Sequence, residues 1–382
     1  MKTNLSSQIK LDRIPKRYYN PDSELERAAL TRNEKVYTRI FESPEEGSLH
    51  IAHDVAELIR KCKAERRPCV LALGSGVGTH GVYTELVRMY KEGLISFANV
   101  VVFNISEYYP LENNAPGTMH LLKELLLDKV DIDPMNIFTP GKAVPKEDIY
   151  KYCKEYEDKI EEFGGLDLVL CEIGATGNLA FNEPGSQLSS SCRLMLLGND
   201  SRHIAASMFN SAENAPHSAI TLGISNLMAA KQIICMAWGE NKASIVKKAL
   251  EGLPTDTIPA SFLQNHKRAK IVLDLPAAEQ LTRISQPWLV TSCEWNDKLI
   301  RRAIVWLCMK TGKPILKLTN KDYNDNGLSE LLALYGSAYN VNIMIFNDIQ
   351  HTITGWPGGK PNADDTFRPE RAKPFPKRVI VF

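Results

Sequence analysis

Residues 166–188 of this 382-residue sequence combine a buried-strand pattern with polar side chains that could do chemistry. The apolar run ends at Gly174, and the loop that follows carries Asn178 and Glu183. In a parallel sheet, the loop that leaves the carboxyl end of a strand is where ligands bind. A carboxylate there can act as a general acid or base, because burial can tune its pKa. The alternative is a polar loop in which Glu183 only caps neighbouring backbone, and spacing alone does not separate the two.

A glycine-rich segment forms a second candidate site and directly follows the apolar strand pattern Cys69–Leu73. A helix pattern begins immediately after it, and this arrangement presents free backbone N–H groups to a phosphate. The segment contains no Walker motif, and its one dinucleotide-type match, Gly76-x-Gly-x-x-Gly81, is weak when it stands alone. We therefore predict a phosphate-binding turn, with a plain tight turn as the alternative. This glycine turn consists of Ser75, Gly76, Val77, Gly78 and Thr79.

Three more polar residues follow strand patterns. Ser106 and Glu107 come one residue after Val100–Asn104, and Lys242 follows the pattern at 232–238, in the first turn of a predicted helix. A lysine is unfavourable beside the positive end of a helix dipole unless an anion lies nearby. The position of Lys242 therefore favours a phosphate ligand, and a solvated lysine is the alternative.

The elements that must position these residues alternate between strand and helix patterns over residues 45–285. Such alternation without internal repeats predicts an α/β fold with a doubly wound, mostly parallel sheet. We assign the later strand patterns to the same parallel sheet, namely residues 219–224, 232–238 and 271–274.

The chain is predicted to have three parts. Residues 1–45 form a polar N-terminal arm, residues 46–285 form the sheet domain, and residues 286–382 form a C-terminal α/β extension that includes a linker. The extension is expected to contain strands at 342–346 and 378–382. Because the chain ends on a strand pattern, we predict that it stops before a further domain, with a genuine terminal strand as the alternative.

Composition excludes several classes of partner. The formal net charge of +1 argues against a nucleic-acid-binding surface. No apolar run reaches the roughly 18 residues needed to span a membrane, and the first residues lack the apolar core of a secretory signal. The eight cysteines are scattered without a C-x-x-C pair, which predicts reduced thiols rather than disulfides or a zinc site. We therefore expect a cytoplasmic protein.

The motifs resemble those of a known family. The glycine turn, the string FNISEY at residues 103–108 and the string GATGNLAFNEP at residues 174–184 are similar to glucosamine-6-phosphate deaminase and the related sugar-phosphate isomerases. The resemblance covers residues 45–285 and implies a modified Rossmann-like sheet. The segments at 287–295, 355–365 and 368–374 resemble a long bacterial subgroup, in which a zinc-dependent de-N-acetylase-like domain follows. This implies that the chain is truncated before that domain.

The resemblance implies roles for the candidate residues. The sugar phosphate would rest on the glycine turn and on Lys242. At the position of Ser106 the family has an Asp that moves a proton between C1 and C2 of the sugar. At the position of Asn178 it has a His that helps to open the ring, oriented by carboxylates of which one corresponds to Glu183. Ammonia is released and fructose 6-phosphate remains, without a metal or an organic cofactor. The family also implies a homo-oligomer.

Departures from the family pattern bear directly on catalysis. Ser106 is not appreciably ionised at neutral pH, and Asn178 cannot take up and return a proton as imidazole does. Thr176 stands where some members have an Asp, and Ser207 stands near a position where the family has a phosphate-binding Arg. General acid–base groups contribute about 10²–10⁴-fold each, so losing two should cripple deamination. Glu107 could substitute as the base, although alternation along a strand end would point it away.

These observations leave two readings of function open. The first is a deaminase/isomerase-family enzyme with weak or altered activity, in which Glu107 or Glu183 has taken over proton transfer. The second is a non-catalytic domain that senses a sugar phosphate or acts as a scaffold. A nucleotide-binding dehydrogenase is excluded, because the chain lacks a clean glycine fingerprint and the acidic residue about 20 positions beyond it.

Overall fold

The structure of the protein is a computed structural model that describes residues 14–111, 115–141 and 144–354. The chain divides into two compact units, of which the first ends at Ser285 and the second begins at Gln286. None of the described helices combines the length and the apolar character that crossing a membrane requires.

The described part of the first unit contains ten strands. They are β1 (Tyr37–Phe41), β2 (Cys69–Leu73), β3 (Val100–Asn104), β4 (Ser106–Tyr109), β5 (Ile137–Phe138), β6 (Leu168–Glu172), β7 (Arg193–Leu196), β8 (Ser218–Thr221), β9 (Ile233–Ala237) and β10 (Ala269–Asp274). Seven of them form one sheet in the order β1-β10-β9-β6-β2-β3-β5, and every neighbouring pair is parallel. The predicted α/β class with a mostly parallel sheet is therefore confirmed.

Helices of the first unit connect and cover these strands. They are α1 (Lys16–Tyr19), α2 (Glu24–Leu30), α3 (Pro44–Ala64), α4 (His80–Lys91), α5 (Thr118–Leu125), α6 (Ile149–Glu162), α7 (Asn199–Phe209), α8 (Ile224–Met228), α9 (Ala243–Glu251), α10 (Leu275–Ala278) and α11 (Thr282–Ser285). In α3, Ile51, Val55 and Ile59 are buried at helical spacing and join Leu71 and Leu73 of β2 in one hydrophobic core. The Ser43 hydroxyl accepts from the Glu46 N–H and caps the start of this helix.

Three strands form a second, antiparallel sheet in the order β4-β8-β7. The prediction that residues 219–224 belong to the parallel sheet is therefore wrong. The chain turns away from the main sheet after β3, and Thr221 pairs with both Ser106 and Arg193. The apolar pattern of β8 correctly predicts a buried strand, but it contains no information on the direction of the partner strands.

The polar arm predicted for residues 1–45 needs a similar correction. Residues 37–41 of this segment form β1, an edge strand that pairs in parallel with β10. Along β1, buried Thr38 and Ile40 alternate with more exposed positions, which is the pattern of a strand covered on one face. The strand was missed because its sequence, YTRIF, mixes charged and polar residues with only a few apolar ones.

All the regular secondary structure described in the second unit is helical. Its helices are α12 (Asp297–Thr311), α13 (Asn320–Asn324), α14 (Ser329–Tyr335) and α15 (Ala338–Thr354). The predicted strand at 342–346 is wrong, because these residues lie within α15, where Val341 and Ile345 are buried four positions apart. Periodicity over so short an apolar run does not separate strand from helix. The strand predicted at 378–382 lies outside the described residues.

Candidate functional site

Two of the predicted site segments lie at the carboxyl ends of β2 and β6, which are neighbours in the sheet, whereas Ser106 and Glu107 come after β3 and Lys242 comes after β9. From β2 the chain continues to β3 on one side, whereas β6 pairs on its other side with β9. The strand order therefore reverses between β2 and β6, and in open α/β sheets this is where a binding crevice forms. The glycine turn follows β2, and the loop at residues 173–183, here called the Asn178 loop, follows β6.

The glycine turn is held by hydrogen bonds to its carbonyl groups. The Thr79 hydroxyl donates to the Gly76 carbonyl at 2.7 Å, and the indole N–H of Trp238 donates to the Gly78 carbonyl at 2.8 Å. Just before the turn, the Tyr83 hydroxyl donates to the carbonyl of Gly74. Among the described residues, the N–H groups of Ser75 and Gly76 find no acceptor. The turn is thus fixed in place with backbone donors to spare.

A carboxylate of the protein itself occupies part of this turn. Glu172, the last residue of β6, accepts a hydrogen bond from the Gly78 N–H through Oε2 at 2.8 Å. A Cβ at Gly78 would lie 2.5 Å from Oε2, and a Cβ at Gly76 would collide with Oε1. A side chain at either glycine would therefore force the Glu172 carboxylate to move. Sequence reasoning missed Glu172, although an acidic residue at the end of a buried strand was the available signal.

Lys242 reaches the same corner from α9, of which it is the N-cap residue. Its Nζ donates to the carbonyl oxygen of Ile173 at 2.7 Å. Ile173 directly follows Glu172, so the structure brings Lys242 to the start of the Asn178 loop. No ion pair joins Lys242 to an acidic side chain within the described residues.

Hydrogen bonds within the Asn178 loop hold the Asn178 amide. Its Oδ1 accepts from the Thr176 hydroxyl at 2.9 Å, and its Nδ2 donates to the Ala180 carbonyl at 2.7 Å. The amide lies so close to Gly174 that a Cβ at that position would collide with it. Asn178 therefore shapes the loop and has one donor and one acceptor already in use.

Glu183 is almost fully buried at the end of the same loop. Its Oε1 accepts a hydrogen bond from the Ser201 hydroxyl in the first turn of α7. A carboxylate is favourable beside the positive end of a helix, so this position suits the charge of Glu183. The neighbouring Asn182 donates to the Leu222 carbonyl at 2.8 Å and ties the loop to the end of β8.

Ser106 and Glu107 begin β4, and their side chains differ in what they contact. Glu107 accepts from the N–H groups of Tyr108 and Thr118 through Oε1, at 2.9 and 2.8 Å, and from the Met119 N–H through Oε2 at 2.9 Å. Burial raises the pKa of Glu107, and the three N–H donors act in the opposite direction. The Glu107 carboxylate thus supports the start of α5. The Ser106 hydroxyl makes no hydrogen bond to a described residue.

A separate group of possible metal ligands lies near the amino ends of the strands. Cys62, Cys69 and Asp167 place their ligand atoms within 4.8 Å of one another. Asp167 already forms ion pairs with Arg67 and Lys231, at 2.8 and 2.9 Å. Burial raises the pKa of both thiols, which favours their protonated form. We therefore interpret this group as structural.

Comparisons with known proteins agree with this geometry. Residues 42–273 match the family model described as glucosamine-6-phosphate isomerases/6-phosphogluconolactonase. A putative glucosamine-6-phosphate deaminase-like protein of Bacteroides thetaiotaomicron is 61% identical over this whole chain, which spans 58% of that protein's length. A glucosamine-6-phosphate deaminase of Thermoanaerobacter sp. (strain X514) is 34% identical over 58% of this chain and 88% of its own.

Among solved structures, a monomeric glucosamine-6-phosphate deaminase matches with a TM-score of 0.61 and 29% identity, over 64% of this chain and 99% of its own. The range matched by the family model contains the glycine turn, the Asn178 loop and Lys242. The resemblance found in the sequence motifs is thereby confirmed. The chain belongs to the glucosamine-6-phosphate isomerase/6-phosphogluconolactonase family.

Proposed function

We propose that this chain binds an amino sugar between the glycine turn and the Asn178 loop, and that it deaminates the sugar weakly or not at all. The observation that carries this proposal is the state of the Asn178 amide. It stands where the family resemblance implies a proton-transferring His, and hydrogen bonds within the loop hold the amide through its oxygen and one of its N–H donors. It neither titrates nor is free to turn toward a sugar ring.

The other candidates for proton transfer do not replace the Asp and the His that the family resemblance implies. Ser106 offers a hydroxyl where the resemblance implies a carboxylate base. Glu107 is turned into the start of α5 and accepts three backbone N–H bonds there. Glu183 is buried and accepts from Ser201, and the position where the resemblance implies its His partner is Asn178. An acid–base reaction at C1 and C2 of a sugar would therefore lack both of its main groups.

The crevice itself supports binding. Backbone donors of the glycine turn, Lys242 and the carboxylate of Glu172 surround the reversal of strand order, where α/β proteins place ligands. Family membership makes glucosamine 6-phosphate the reference ligand for any assay. The expectations of a homo-oligomer, of a cytoplasmic protein and of a further domain beyond this chain stay predictions.

Ammonia release from glucosamine 6-phosphate tests the catalytic part of the proposal. We expect turnover at least ~10⁴-fold below that of the Thermoanaerobacter relative measured in the same assay, because two acid–base groups are missing. The double substitution Ser106→Asp with Asn178→His should raise the rate, and each single substitution serves as its control. Turnover by the unmodified chain within tenfold of the relative would contradict the proposal.

A further inference from the structure

We propose that Glu172 determines which sugar this site accepts: its carboxylate fills the place of a phosphate in the glycine turn, so the ligand is an amino sugar without a phosphate group. This inference rests on the proposed function and specifies its ligand. It assigns a specificity role to a residue that the motifs did not single out.

The position of Glu172 is set by the sheet. Its backbone lies opposite Met236 in the β6–β9 ladder, and the next N–H, that of Ile173, donates to the Met236 carbonyl at 2.9 Å. From this fixed point the side chain extends over the glycine turn, where Gly76 and Gly78 have no side chains to obstruct it. The carboxylate is thus held in the turn by a rigid strand.

Glu172 and a phosphate would compete for the same donors. The Gly78 N–H already has an acceptor in Oε2 of Glu172. Oε1 of Glu172 lies over Gly76. A phosphate that entered the turn would therefore meet this carboxylate at the place where the phosphate oxygens would accept from backbone N–H groups. Two anions in one small site repel each other, and like charges placed together are an effective means of rejecting a ligand.

The charge of Glu172 is not neutralised by the protein. Within the described ranges no Lys or Arg forms an ion pair with it, and Lys242 donates to the Ile173 carbonyl instead. Oε1 has no donor among the described residues either. The ammonium group of an amino sugar is a cation with three donors, so it could pair with Oε1 and supply the charge that is missing.

Isothermal titration calorimetry with glucosamine and glucosamine 6-phosphate tests this assignment on the full chain. The variant Glu172→Gln keeps the size of the side chain and an oxygen for the Gly78 N–H, but removes the charge. The variant Glu172→Gly empties the turn. The matched control is Glu240→Gln, which removes an exposed carboxylate that follows β9 without touching the glycine turn. Unchanged thermal unfolding of each variant verifies that it is folded.

We expect the unmodified chain and Glu240→Gln to bind glucosamine at least tenfold more tightly than glucosamine 6-phosphate. In Glu172→Gln and Glu172→Gly the preference between the two sugars should reverse, and the affinity for glucosamine 6-phosphate should increase at least tenfold. If the unmodified chain prefers the phosphate ester and Glu172→Gln leaves that preference unchanged, the inference is overturned while the proposed function stands. If no variant binds either sugar, the proposed function itself fails.

Discussion

The two ends of β6 carry acidic residues with opposite surroundings. Asp167, just before the strand, is buried and accepts from Arg67, Lys231 and the Val70 N–H, at 2.8, 2.9 and 2.9 Å. Glu172, at the other end, accepts a hydrogen bond from the Gly78 N–H and from no other described residue. One carboxylate is paired with two cations inside the protein, whereas the other lies at the edge of the sheet where we propose that the ligand binds.

The partners of the two carboxylates show which of them stabilises the fold. Burial raises the pKa of Asp167, but the Val70 N–H and the cations of Lys231 and Arg67 outweigh it, so the pKa lies below its ordinary value. The folded state therefore gains stability from the ionised form of Asp167. The described residues give Glu172 no such set of partners, and this is why we propose that Glu172 contacts the ligand.

The largest expected effect comes from removing the paired carboxylate. Asp167→Ala leaves Arg67 and Lys231 without their partner and the Val70 N–H without its acceptor. We expect a loss of about 2–3 kcal/mol in the free energy of unfolding. This is small for the removal of one partner from a buried ion pair, because both cations are partly exposed to solvent. Urea denaturation followed by circular dichroism measures this loss. Glu172→Ala is the control at the other end of the strand, with an expected change below about 1 kcal/mol.

The difference in stability between the unmodified chain and Asp167→Ala should depend on pH. Because the pKa of Asp167 is lowered in the folded state, its stabilising effect is present above the ordinary Asp pKa of about 3.9 and is lost as the pH falls through the folded-state value. The stability difference between the unmodified chain and Asp167→Ala should therefore shrink between pH 7 and pH 2. A difference that stays constant over this range would show that Asp167 acts through packing rather than charge.

Glu107 tests whether a carboxylate at the ligand-binding edge can also be structural. In Glu107→Gln the side-chain NH₂ would face at least one of the three N–H donors, which leaves a buried donor unsatisfied. We expect a loss of about 1–2 kcal/mol in the free energy of unfolding. Glu124→Gln, at an exposed position of α5, is the matched control and should change stability by less than about 0.5 kcal/mol. If Glu107→Gln and Glu124→Gln are equally stable, Glu107 does not have the structural role that we assign to it.

The smallest expected effect concerns the support of the glycine turn. Trp238→Phe removes the donor to the Gly78 carbonyl while keeping an aromatic ring against the turn. One neutral hydrogen bond is worth about 0.5–1.5 kcal/mol, so thermal unfolding should shift only slightly. Glucosamine affinity should fall a few-fold, because Gly78 also holds the Glu172 carboxylate. An affinity equal to that of the unmodified chain would show that the turn keeps its shape without Trp238.

Much of the parallel sheet could be predicted from local sequence. The apolar runs Cys69–Leu73 and Val100–Asn104 form strands with the predicted bounds, and the glycine turn and the Asn178 loop follow β2 and β6 as expected. These strands are buried on both faces, so their composition is almost purely apolar, and glycines follow β2 and β6. The strand β1 and the strand pattern that became part of α15 lack such clear marks, because each is apolar over only a few residues.

Residue types and short-range pattern were therefore enough to identify the family and most strands of the core. They also led to the prediction, on which our proposed function rests, that Ser106 and Asn178 replace the acid–base groups implied by the family resemblance. They did not predict that β8 pairs with β4, that the Glu107 side chain points to the start of α5 or that the Glu172 carboxylate lies in the glycine turn. Each of these depends on which elements become neighbours after folding. Whether a carboxylate is structural or open to a ligand is decided by donors and cations from distant parts of the chain, and only the tertiary structure brings those together.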